Sequence, residues 1–169
     1  MAPMRTLVAL ASPVLFLLGG VALAAPDAGA AKVVGPPEVA WKDMNKEQRG
    51  KFMKAVVTPK MKAVFQTFDP KKFEKFNCAT CHGKDAKERE FKMPNPNADI
   101  HALPDSPEGF KALMAKKADW PKYAKFMSET VEPVLFGQLL HVPIFNPAKP
   151  DPNAFGCGKC HTIKKDLKD

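Results

Sequence analysis

Two five-residue stretches could do chemistry in this sequence: Cys78-Ala79-Thr80-Cys81-His82 and Cys157-Gly158-Lys159-Cys160-His161. Together they hold all four cysteines and two of the four histidines of the 169-residue chain. Two thiols three residues apart fall on one helical turn. Each can form a thioether bond to a vinyl group of one haem, and the adjoining imidazole can serve as a ligand to the iron. The competing uses of these cysteines fit less well. A thioredoxin-like redox pair needs a βαβ context, and no β-rich pattern surrounds either stretch. Two Cys-x-x-Cys pairs could hold a structural zinc, but the gap between them is long and a four-thiolate site has no use for the two histidines. Two disulfides would suit an oxidising compartment. A double motif that consumes every cysteine favours covalent haem.

On these two motifs and their flanks, though not over its whole length, the chain resembles the c-type cytochromes, as a small diheme member. The resemblance implies two covalent haem c groups, one on Cys78 and Cys81, the other on Cys157 and Cys160. His82 and His161 are then the proximal iron ligands. It also implies attachment on the far side of a bacterial inner membrane, hence a periplasmic protein, and electron transfer as the function.

The sixth iron position decides between carrier and catalyst. A protein ligand suits electron transfer, and an open position admits a small gas or a peroxide. A thioether raises the potential, so methionines come first. Lys92-Met93-Pro94 resembles the Lys-Met-Pro loop that supplies the distal methionine in many single-haem cytochromes c. Met93 follows His82 much sooner than in that class, although eleven extended residues reach roughly 36 Å. Met53 and Met127 are further candidates, each in a helical stripe ahead of its motif, where a methionine is more often core filler. For the second haem only upstream residues can serve, and Met127 and His141 are the choices. An enzyme reading, such as a small peroxidase, would need acid–base groups on the distal side. His141 or Glu132 could supply them, but peroxidases of the two-haem type are much longer chains. A gas-binding or gas-sensing haem protein with one open iron site is the remaining alternative.

The rest of the chain must position these residues. Residues 1–24 read as a secretory signal: Arg5, an apolar run from Leu7 to Val21, and an Ala22-Leu23-Ala24 cleavage site with no cysteine for a lipid anchor. The run is short for a membrane span and contains helix breakers. Residues 25–42 form an Ala/Pro linker that holds the folded part away from what precedes it. Asn45 with Gln48 reads as a capping box opening a helix, which Thr58-Pro59 caps anew or kinks. Ser106-Pro107 opens another helix, and Asp119 caps one that runs toward His141. Nothing reads as a strand. An internal repeat links the halves: Lys51-Phe52-Met53 with Val57 and Pro59 matches Lys125-Phe126-Met127 with Val131 and Pro133, and Phe76 and Phe155 each stand two residues before a motif. The fold class is therefore all-α, with two pseudo-repeated helix–loop–haem units, 43–97 and 98–169. The helical stripes have no other large apolar partner, so the haems are expected to make up much of the core.

Without residues 1–24 the chain keeps 25 Lys and Arg against 18 Asp and Glu, a net charge of +7. Many of the lysines flank the motifs, among them Lys71, Lys72, Lys75, Lys84, Lys87, Lys159, Lys164, Lys165 and Lys168. Such a surface would steer an acidic redox partner toward a haem edge. An exported protein with no interleaved aromatic platform is a poor nucleic-acid binder.

Overall fold

The computed structural model describes residues 33–97 and 100–165. The assigned signal, residues 25–32 of the linker and Lys168 lie outside the described residues.

The protein is mostly helical. Its first long helical stretch is α1 (Lys46–Phe52), a π-helical segment (Met53–Val57) and α2 (Thr58–Phe68) in unbroken succession. Asn45 opens it as expected: its side chain accepts from the Gln48 N–H, and the Gln48 side chain accepts from the Asn45 N–H, both at 2.9 Å. Pro59 neither caps a separate helix nor breaks this one. Its ring would clash with the carbonyl four residues back in an ordinary α-helix. Here the Thr58 N–H donates to the Met53 carbonyl five residues back, and this wider turn makes room for the proline. The same device recurs in α5 (Trp120–Phe126), where a π-helical segment (Met127–Val131) brings the Glu132 N–H onto the Met127 carbonyl just before Pro133. A further π-helical segment (Pro133–Leu139) completes that stretch.

The two stretches bury their stripes against each other. Phe65 is packed edge-on to Phe126 at 5.2 Å and to Phe73 at 4.8 Å, and Phe68 stacks on Phe126 at 3.9 Å. Phe52, Val57, Met61, Phe76, Val131, Phe136 and Leu140 complete one core shared by both halves. The sequence expectation left the helical stripes without an apolar partner other than haem. They find one in each other, because the matched stripes face each other across the halves. Tyr123 adds a polar tie, its hydroxyl donating to Asp69 at 2.9 Å.

Three local expectations change. The described part of the linker is packed on the core rather than held clear of it: Gly35 is buried against the Phe52 ring, with no room for a Cβ, and Val39 and Trp41 lie on the core. Asp119 precedes α5 but makes no side-chain cap, since its own backbone is already helical. Two short strands exist, β1 (Leu103–Pro104) and β2 (Ile163–Lys164), paired in parallel. Two residues are too few for a period-2 pattern, so no sequence signal marks them. Ser106 does cap its helix, α4 (Pro107–Ala115), accepting from the Gly109 N–H at 3.1 Å.

Candidate functional site

The first motif forms a short helix, α3 (Cys78–His82). Asn77 caps it by accepting from the Ala79 N–H at 2.8 Å, while Thr80 accepts from the Asn77 N–H at 3.0 Å. Gly83, at φ 82°, ends the turn in a conformation that suits glycine. Phe76 anchors the entry, buried against Phe65 at 5.0 Å. Beyond the motif the chain loops back. Asn95, only 3% exposed, donates to the His82 carbonyl at 2.8 Å and also to Asp85, which accepts from Asn97 at 2.9 Å. Glu90 and Phe91 both take left-handed backbone at φ 54° and 59°, a strained arrangement for side chains of this size. It sets the Phe91 ring edge-on to the His82 imidazole at 5.5 Å. His82 Nδ1 is buried and has no hydrogen-bond partner, and burial lowers the pKa of the ring.

The second motif is built differently. A single 3-10 turn (Cys157–Lys159) starts at Gly156 with no side-chain cap, and the His161 N–H donates to the Cys157 carbonyl at 2.8 Å. Phe155 anchors it against Phe136 at 5.3 Å. His161 Nδ1 lies 2.7 Å from the backbone carbonyl of His101, sixty residues earlier, which fixes that nitrogen as the protonated one. Cys157, Cys160 and His161 share a shallow, open cleft with Met127, Val131, Glu132, Leu135 and Phe136. The helical residues lie at spacings of three and four, so one face of the stretch forms the wall. That helical wall is apolar except for Glu132, which accepts from the Cys157 thiol at 3.5 Å. Burial raises the pKa of the half-buried Glu132 carboxyl, against the opposing effect of that bond.

The two motifs lie near enough to influence each other electrostatically. The Cys81 thiol is pushed up to about 12, mainly by burial, with nearby Cys160 and Cys78 adding to it. Cys160 is pushed up to about 11, again mainly by burial, with Glu132 and Cys157 contributing. Both second cysteines lie against the shared core, whereas Cys78 and Cys157 are exposed. None of the four is in a disulfide. Among the described residues no three His, Cys, Asp or Glu side chains cluster as a bare metal ion would require, which a four-thiolate zinc site would need.

The other candidates are dispersed. Met127 lines the cleft of the second motif. Met53 is packed against the shared core. Met93 is half-buried on the returning loop, two residues before Asn95. His141 is exposed at the end of its helical stretch, with φ 50°. Three features had no legible signal in the sequence: the His101 carbonyl, the Phe91 ring and the Asn95 tie. Each works through a long-range contact or a main-chain atom rather than through residue type.

Compared with protein-family models, with curated proteins and with solved structures, the chain matches none.

Proposed function

We propose that the protein is a small diheme c-type cytochrome that carries electrons in the periplasm. The observation that supports this most is the second cleft. It sets two thiols and an imidazole with a partnered Nδ1 against an apolar wall that includes a thioether, the donor set an electron-transfer haem uses. The first motif supports it as well, since its one helical turn carries Cys78, Cys81 and His82 together, with the His82 ring set against the edge of Phe91. Cys78 and Cys81, and Cys157 and Cys160, would hold the two haems, with His82 and His161 as proximal ligands. Met127 is the distal group favoured for the second site, ahead of the exposed His141. Met93, on the loop that Asn95 ties to His82, is favoured over Met53 for the first. When bound, haem supplies a reversible one-electron couple at each site. The chain's part is to exclude water, orient the imidazoles and present lysines to an acidic partner protein. The pseudo-repeat of two helix–loop–haem units is supported by the two matched π-helical segments, each ending just before a proline.

A second reading rests on Glu132. A half-buried carboxyl whose protonated form burial favours, set in an otherwise apolar cleft, could serve acid–base chemistry on a peroxide or a bound gas at an open second iron. One experiment separates the readings. The exported protein is purified, haem is quantified per chain, and spectra are taken oxidised, reduced and with carbon monoxide. Two covalent haems, low-spin in both states and indifferent to carbon monoxide, are expected. One high-spin iron that binds carbon monoxide would favour the second reading, and absence of covalent haem would overturn both.

A further inference from the structure

The two proximal histidines are held in different ways, and the difference comes from β1 and β2. The Leu103 N–H donates to the Thr162 carbonyl at 2.9 Å and the Asp105 N–H to the Lys164 carbonyl at 3.3 Å. This parallel pairing carries the segment just before β1 alongside the segment just after the second motif. As a result the His101 carbonyl stands 2.7 Å from His161 Nδ1. Nothing equivalent serves His82, whose Nδ1 is buried without a partner and whose ring is fixed by the edge of Phe91. An imidazole that donates its second N–H to a carbonyl is a more basic, more electron-rich ligand, which stabilises the oxidised metal. An imidazole with a bare, buried N–H lacks that effect and favours the reduced metal.

We propose that the β1–β2 pair is a positioning element for His161, and that it sets the two sites at different potentials, the C-terminal one lower. In the half-reduced protein the single electron taken from a donor protein then resides at the His82 site, and an electron arriving at the His161 site moves on toward it. No proton is exchanged in this transfer. The inference rests on the haem reading above and concerns the chain's own hydrogen bond rather than the distal groups.

Its test uses the exported, haem-loaded protein in a potentiometric titration followed by visible absorption. Two separate one-electron steps are expected. Leu103→Pro removes the N–H that pairs β1 with Thr162 and loosens the His101 carbonyl. It is expected to raise the lower step toward the higher one and leave the higher step in place. A single unresolved step in the unsubstituted protein, or a variant that shifts only the higher step, would overturn the inference. Should the variant fail to fold, nuclear magnetic resonance of the reduced, ¹⁵N-histidine-labelled protein decides. One proximal Nδ1–H is expected well downfield of the other, and two equivalent signals would overturn the proposal. A protein without covalent haem would instead sink the reading on which it stands.

Discussion

Met127 and Glu132 stand five residues apart on the wall that faces the second motif, and they do opposite things there. The thioether is a soft donor with no charge to desolvate. Replacing it as Met127→Leu keeps volume and apolarity, at a stability cost below about 1.5 kcal/mol. If Met127 is the distal group, the substitution removes the weak far-red sulfur-to-iron band of the oxidised protein and opens that iron to carbon monoxide. Met53→Leu leaves both unchanged. Glu132 carries the one strained charge of the cleft. Burial favours its neutral form, so the folded protein binds more protons than the unfolded chain between the ordinary carboxylate value of about 4.3 and the raised folded value. Stability is full below that window and falls as pH rises through it. If haem is attached at Cys157 as proposed, the effect grows, because a thioether there would no longer donate to the carboxyl. Melting temperatures measured from about pH 4 to about pH 7 should decline for the unsubstituted protein relative to Glu132→Gln.

At the scale of elements, the two motifs differ in how they are held. α3 has a reciprocal cap between Asn77 and Thr80, whereas the second motif begins at a glycine and relies on long-range bonds. Asn77→Ala should therefore cost about 1 kcal/mol, seen as a lower melting temperature, and, on the proposed haem reading, should reduce covalent haem at the first motif alone, which peptide mass spectrometry can count. The paired π-helical segments are the other shared element. Each lets a proline stand within a continuous helical stretch, and each starts at the methionine of a Lys-Phe-Met sequence. The widened turn removes the need for a break that the proline would otherwise impose.

Across the whole molecule, the residues from both halves converge on Phe65 and Phe126. One core means one cooperative unit, so Phe65→Ala should cost about 3–5 kcal/mol and lower the unfolding temperature of both halves together, followed by near-ultraviolet circular dichroism and, if haem is bound as proposed, at the Soret band. Independent melting of two halves would contradict a shared core. Among the described residues, the lysines around both motifs are exposed. With an excess of positive charge over the whole chain, and on the proposed function, the rate of electron exchange with an acidic partner should fall steeply as ionic strength rises through the range where the screening length drops below about 10 Å.

Residue type and spacing alone determined the cap at Asn45, the cap at Ser106 and the mainly helical class, because each of these is local chemistry that a few neighbouring residues settle. The sequence also named Met127 ahead of His141 for the second haem, but it could not place its side chain. Met53, Met127 and Met93 are alike as letters, and only the fold places Met127 on the wall facing Cys157, Cys160 and His161. The same holds for the path through Pro59, since a proline reads as a stop unless the turn before it widens. The β1–β2 pair, the His101 carbonyl on His161 and the packing of both Cys81 and Cys160 on the shared core were decided by tertiary structure alone. They join main-chain atoms or residues far apart in the chain, and such contacts leave no periodicity for a sequence to display.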